Sequence, residues 1–215
     1  MPDVVAIVLA AGQGSRLGGP KALLVVGSGA AEMPLIEAQC RDRLAAESRR
    51  ALAVVRPDVA PLVEERLRAA AAEVVVSRAP DALGPAGSLA AAAAHLATDT
   101  ARAVVVTPVD VRVDAATVAA LVAALDAGPA LAAVPRFGAR RGHPVALRPS
   151  ALARYAEPEP PPLRDHLRAL GDRVVTVDVT DPHVLEDLDH PHQIDLLARI
   201  TGGVAPPRFF GRIHP

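Results

Sequence analysis

The chain has 215 residues, of which 51% are apolar and only 2% aromatic, and its formal net charge is −1. That length supports the core of one α/β domain, and near-neutrality excludes a protein that neutralises a nucleic-acid backbone, which needs a concentrated basic surface. Its single cysteine, Cys40, excludes an internal disulfide and a cysteine-based zinc site, and no run reaches the roughly eighteen uninterrupted apolar residues of a membrane span.

Met-Pro-Asp leads directly into the apolar run Val4 to Leu9 with no basic targeting region, so a cytoplasmic location is expected. That run predicts a strand buried on both faces and followed by a glycine loop, the mark of a parallel sheet. Leu35 to Ala46 predicts a helix after Pro34, with Cys40 as a buried small residue. Ala51 to Val55 predicts a second strand, stopped by Arg56-Pro57. Asp58 is a candidate cap for a helix over 59–72, followed by a strand at Val74 to Val76 and an Ala-dense helix from Ser88 to Ala97. Ala103 to Val106 is a further strand, Asp114 caps a helix to about Leu125, and Leu131 to Val134 returns to strand.

Strands alternating with single helices predict a Rossmann-like, doubly wound, mostly parallel sheet with helices on both faces. The basic stretch Arg136 to Pro149 and the prolines of 158–162 read as loops around a site. Val174 to Val179 predicts a late strand and Pro191 to Ile200 a last helix. One domain over residues 1–201 is expected, with a tail over 202–215 that lacks periodicity. Phe209 and Phe210 are adjacent aromatics in an aromatic-poor chain, suited to docking on the body or on a second copy. A monomer and a homodimer both accommodate this pattern.

Open parallel sheets bind ligands beyond the carboxyl ends of their strands. After the first strand comes Leu9-Ala10-Ala11-Gly12-Gln13-Gly14-Ser15-Arg16-Leu17-Gly18-Gly19-Pro20-Lys21. Glycines let backbone N–H groups turn toward an anion, and Arg16 and Lys21 add the positive charge that a triphosphate requires. A Walker loop is excluded, because Gly19 is followed by proline and Lys21 by alanine. A dinucleotide fingerprint is excluded too, because Leu17 stands where its third glycine belongs.

The run LAAGQGSRLGGPKAL resembles the signature of the molybdopterin-cofactor nucleotidyltransferase-like family, near the branch that makes cytidylyl molybdenum cofactor. It is similar, more distantly, to methylerythritol-phosphate cytidylyltransferases and sugar-phosphate nucleotidyltransferases. The resemblance implies a nucleotide-diphospho-sugar transferase type of sheet and a Mg²⁺-dependent transfer of a nucleoside monophosphate from an NTP to a small anionic acceptor, with release of pyrophosphate. Arg16 and Lys21 then carry catalysis, while Leu9, Ala10, Ala11, Gly12 and Gly14 hold the nucleotide with Gly84 and Ser88, which match the family's Gly-x-x-x-Ser loop.

Asp110, at the end of a predicted strand, is the first choice for the Mg²⁺ ligand, since that ion takes one or two carboxylates plus phosphate oxygens and waters. Asp114 is its neighbour and competitor, because Val111-Arg112 replace the Gln-Pro or Met-Pro usual in the family. Asp187 or Asp189, in a segment similar to Asp-Ile-Asp-Thr-Pro, completes the metal shell, with Asp187 preferred. Arg141 and His143 fall in a Gly-His-Pro element that borders the acceptor pocket in the molybdopterin branch. Ala10-Ala11-Gly12 favours CTP, and the Gly-His-Pro element favours a molybdopterin-type acceptor. A reading of another class is a nucleotide-binding sensor that has lost catalysis, supported by the altered residues after Asp110.

Overall fold

The computed structural model describes residues 3–27, 29–46, 48–186 and 208–211. Its central sheet is built on β1 (Val4–Leu9), β4 (Arg50–Val55), β5 (Glu73–Val76) and β6 (Ala103–Pro108), which pair in parallel in the order β5-β4-β1-β6. β2 (Val25–Val26) and β3 (Met33–Pro34) form a small antiparallel ribbon beside it. The main sheet continues through β9 (Val145–Leu147), β7 (Ala132–Phe137) and β10 (Val174–Asp178), and β8 (Arg140–Arg141) pairs with the end of β7.

β9 runs antiparallel to both β6 and β7. The stretch 136–149, expected as loop, therefore holds two strands, and the sheet is mixed, though mostly parallel. These strands are two and three residues long and follow Gly138 and Pro144. A period-two pattern needs more residues than that to show itself.

Helices cover both faces because alternate strand residues point opposite ways. Ala6 and Val8 of β1 pack with α1 (Leu35–Ala45) and α2 (Ala60–Ala69). Val4, on the same side, packs with α4 (Ala115–Asp126). Val5 and Ile7 face α3 (Pro85–His95), α5 (Pro149–Leu152) and α6 (Leu163–Leu170). With so few aromatics the core is Val, Leu and Ala, and the small side chains of α3 allow close approach to the sheet. On the opposite face Cys40 of α1 is fully buried, and burial, with Glu37 nearby, pushes its thiol up to about 12, so it stays a protonated packing residue.

Several local expectations shift. Asp114 does cap α4, its Oδ1 accepting from the Thr117 N–H at 2.6 Å. Asp58 does not cap α2, since Val59 holds that position and the Asp58 carboxylate accepts from Arg56 at 2.9 Å. α3 begins three residues before Ser88, with Gly84 at the cap, so Ser88 lies buried in the first turn without capping it. The expected last helix, with Asp187 and Asp189, lies outside the described residues. No helix among the described residues is long and apolar enough to cross a membrane.

The tail segment docks on the body. Arg208 accepts at its carbonyl from the Val25 N–H (2.8 Å), and the Phe210 N–H donates to the Leu23 carbonyl (2.7 Å). The Phe209 ring lies against Gly19, and Arg66 stacks over Phe210 at 5.1 Å. An aromatic from the far end of the chain thus packs directly behind the glycine loop.

Candidate active site

The chain leaves β1 for β4 and β5 on one side and returns through β6 on the other. A crevice therefore opens between the loops that follow these strands. A cleft of 1780 Å³ occupies it, lined by Leu9 to Ser15 after β1, Arg56 after β4, Ser77 and Arg78 after β5, and Pro108 to Asp110 after β6. Because β9 is antiparallel, its starting end faces the same side and brings Gly142 and His143 to the rim.

Leu9, Ala10, Ala11, Gly12, Gly14, Lys21, Gly84, Ser88, Asp110, Arg141 and His143 all line this one cleft. The Ala10 N–H closes the sheet by donating to Val54, whereas among the described residues the N–H groups of Ala11, Gly12, Gln13 and Gly14 donate to no backbone carbonyl. Gly14 has φ +63, and a Cβ there would overlap the Gly19 carbonyl, so only glycine permits the turn. Arg16 lies in the short 3-10 turn Ser15–Leu17, but its side chain lies outside what is described. Pro20 then directs the chain so that Lys21 turns back into the cleft.

There Lys21 Nζ lies 2.5 Å from Asp110 Oδ2, with the side chains 19% and 7% exposed. The loop cation and the strand-end carboxylate thus meet, although 89 residues separate them. Asp114, the competitor for the metal, points away: it is exposed and committed to its helix cap. Among the described residues no group of three or more His, Cys, Asp or Glu could hold a metal ion by itself. One carboxylate beside a glycine loop whose Ala11 to Gly14 N–H groups, among the described residues, donate to no backbone carbonyl fits a hard cation such as Mg²⁺, which takes its other ligands from phosphate oxygens and water.

The opposite wall is the start of α3, where Pro85, Ala86 and Ser88 of the first turn line the cleft and bring the helix N-terminus beside it. Gln13 donates to Asp81 across the mouth, tying the glycine loop to the turn before α3. A Cβ on Gly142 would overlap the Val184 carbonyl, so this residue packs tightly against the chain after β10. The next N–H, of His143, donates to the same carbonyl at 2.8 Å.

Four basic cleft residues escaped sequence reasoning: Arg56, Arg78, Arg164 and Arg168. Arg56 and Arg78 could have been found from their place just after predicted strands. The α6 pair comes to the cleft only through tertiary packing of a helix that follows the proline-dense stretch 158–162. With Lys21 and Arg141 they make six cations against Asp81 and Asp110, so a chain of near-zero net charge concentrates positive charge here. Among the described residues Arg78, Arg141 and Arg164 have no ion-pair partner.

The profile of the MobA-like NTP transferase domain matches residues 6–177. The chain belongs to that family. It is therefore a nucleotidyltransferase, of a family that binds nucleoside triphosphates. A search of curated proteins finds none that matches.

Among solved structures, the Rv0371c homologue from Mycobacterium sp. strain JC1 is 27% identical with a TM-score of 0.75, covering 93% of this chain and 98% of that one. Rv0371c of Mycobacterium tuberculosis, solved in complex with manganese, is 22% identical with a TM-score of 0.63, covering 92% and 98%. CMP:2-keto-3-deoxy-manno-octonic acid synthetase, solved with CTP, shares the fold at 15% identity and a TM-score of 0.71, covering 93% and 98%.

Burial also shapes the acid response. His143 and His166 both sit below the ordinary imidazole value of 6.5, chiefly because their surroundings disfavour the charged ring. Asp110 pulls His143 partly back, and the Ala151 carbonyl does the same for His166. The unfolded chain therefore binds more protons just below pH 6.5. The stability these rings contribute is complete above that value and is lost as pH falls through their folded values. Thermal melts across pH 8 to 5 are expected to show the melting temperature falling below pH 6.5, with a shallower fall in His143→Gln. An unchanged slope in that variant would contradict the assignment.

Proposed function

We propose that the protein transfers CMP from CTP, with Mg²⁺, to a small phosphorylated acceptor of molybdopterin type, releasing pyrophosphate. The observation that carries this reading is the meeting of Lys21 and Asp110 beside N–H groups that, among the described residues, donate to no backbone carbonyl. An acceptor phosphate oxygen attacks the α-phosphorus in line; the new P–O bond forms as the bond to the β-phosphate bridging oxygen breaks, and pyrophosphate departs with that electron pair. A phosphate nucleophile needs no general base, so this chemistry asks for positioning and charge neutralisation.

Amides of Ala11 to Gly14 cradle the leaving phosphates, and Arg16 adds its charge there. Lys21 stabilises the negative charge growing on the α-phosphoryl oxygens. Gly84 and Ser88, at the start of α3, border the nucleoside. Asp110, with Asp187 as the expected second carboxylate, would hold Mg²⁺, which when bound neutralises phosphate oxygens as a Lewis acid. Arg141 and His143 receive the acceptor, and Arg164 and Arg168 widen that basic rim, as suits an anionic molecule.

CTP is preferred because Ala10-Ala11-Gly12 has the form associated with cytidylyl transfer, and the neighbour solved with CTP shares this fold. The neighbour solved with manganese supports a divalent ion. A thermal-shift comparison of the four NTPs with Mg²⁺ tests the nucleotide. CTP at about 100 times its Kd should stabilise the folded state by roughly 2.7 kcal/mol. A larger shift with GTP or UTP would reject the nucleotide, and no shift with any NTP would reject the reading as a whole.

A further inference from the structure

The segment that follows Asp110 is irregular in backbone yet largely buried, with Val111 and Val113 at 2% and 8% exposure. Such a stretch must find partners for its polar groups, and here each successive residue is gripped from outside. Gln39 Nε2 donates to the Val111 carbonyl at 2.9 Å. Arg112 forks onto Asp42 Oδ2 at 2.7 and 3.2 Å. Arg43 Nη2 donates to the Val113 carbonyl at 2.9 Å. The Asp114 N–H donates to Asp181 at 2.9 Å.

Three of these four grips come from α1, at positions 39, 42 and 43, which are neighbours on one helical face. On the other side of Asp110, the Val109 N–H donates to the Leu9 carbonyl at 3.0 Å, fixing the carboxylate's approach to the glycine loop.

We propose that this face of α1 is a positioning element for Asp110, holding residues 111–114 so that the carboxylate is presented to the metal–triphosphate complex. The proposal rests on the reading of Asp110 in the preceding subsection. Gln39 and Arg43 are fully or almost fully buried, at 0% and 2% exposure. Enclosing an amide and a guanidinium is costly, and apolar residues of the same volume would fill a core at least as well. Two such side chains directed at two carbonyls of one loop therefore serve placement more than packing. Arg112, in the segment that differs from the resembled pattern, has its partner Asp42 on α1. These residues touch no substrate and act through Asp110.

The pair is part-exposed, at 37% and 30%, and so can be altered in a protein that still folds. Three variants test the proposal: Arg112→Glu, Asp42→Arg, and the exchanged pair carrying both. Binding of Mn²⁺ in the presence of CTP is followed by electron paramagnetic resonance, CTP affinity is measured in EDTA, and melting temperature is recorded for each.

Each single variant is expected to weaken Mn²⁺ binding about tenfold, as loss of an outer-shell support typically does. CTP affinity without metal should stay unchanged, and the exchanged pair should recover most of the loss. Singles that bind Mn²⁺ like the wild type would overturn the proposal. So would an exchanged pair as weak as the singles, or an equal loss of metal-free CTP affinity, which marks general loosening. Wild-type protein that binds no Mn²⁺ with CTP would overturn the role of Asp110 and this proposal with it, whereas normal wild-type binding with unaffected variants sinks the proposal alone.

Discussion

Replacing Lys21 with alanine is expected to leave a folded protein whose pyrophosphate release falls by about 10²–10³, or roughly 3–4 kcal/mol of transition-state stabilisation. The side chain stands on the cleft wall, 19% exposed, and its ammonium touches the strand-end carboxylate of Asp110. Removing it leaves Asp110 without this cation. The cleft is open to water, so the loss of stability should fall well short of the roughly 3–5 kcal/mol seen when an enclosed pair is broken. Arginine at this position keeps the charge but replaces a compact ammonium with a planar fork, and only part of the rate should return. A continuous pyrophosphate assay alongside a circular-dichroism melt checks both halves. Near-normal release from a well-folded Lys21→Ala would remove this residue from the reaction.

Asp110→Asn carries the second large effect, and its signature differs. Asparagine keeps the shape and removes the charge, so the fold should persist while the hard-cation ligand is lost. Turnover is expected to fall by about 10²–10³, as for other electrostatic contacts in such sites. The stabilisation of the protein by CTP should no longer depend on Mg²⁺. Titrating Mg²⁺ against the CTP-induced thermal shift separates the two variants, because Lys21→Ala should retain metal dependence and Asp110→Asn should not. A metal response in Asp110→Asn equal to that of the wild type would contradict the assignment.

What could be read from the sequence follows from where information is local. β1 announces itself through six consecutive apolar residues, and the glycine loop after it needs only its own spacing to suggest an anion. Asp110 was legible because a strand-end carboxylate in a parallel sheet faces the ligand side whatever the rest of the chain does. The antiparallel β9 was not, because three buried residues between proline and arginine carry no period, and its place between β6 and β7 comes from pairing partners about 40 and 13 residues away.

Arg164 and Arg168 follow the proline-dense stretch 158–162 with no local signal of a site, and only the packing of α6 beside the cleft gives them one. Phe209 likewise has no local signal for its seat against Gly19, which is set by hydrogen bonds to the strand after Lys21. Val111-Arg112 after Asp110 were the support for the alternative of a protein that has lost catalysis. Seen with α1, they belong to a supported loop.

The most direct test of a triphosphate cradled opposite a carboxylate-held ion is a crystal structure with CTP and Mn²⁺, with anomalous scattering used to place the metal. The expected result is an anomalous peak coordinated by Asp110 and by phosphate oxygens, with those phosphates lying on the amides of Ala11 to Gly14 and beside Lys21. Phosphates bound elsewhere in the cleft, or a metal peak remote from Asp110, would contradict it.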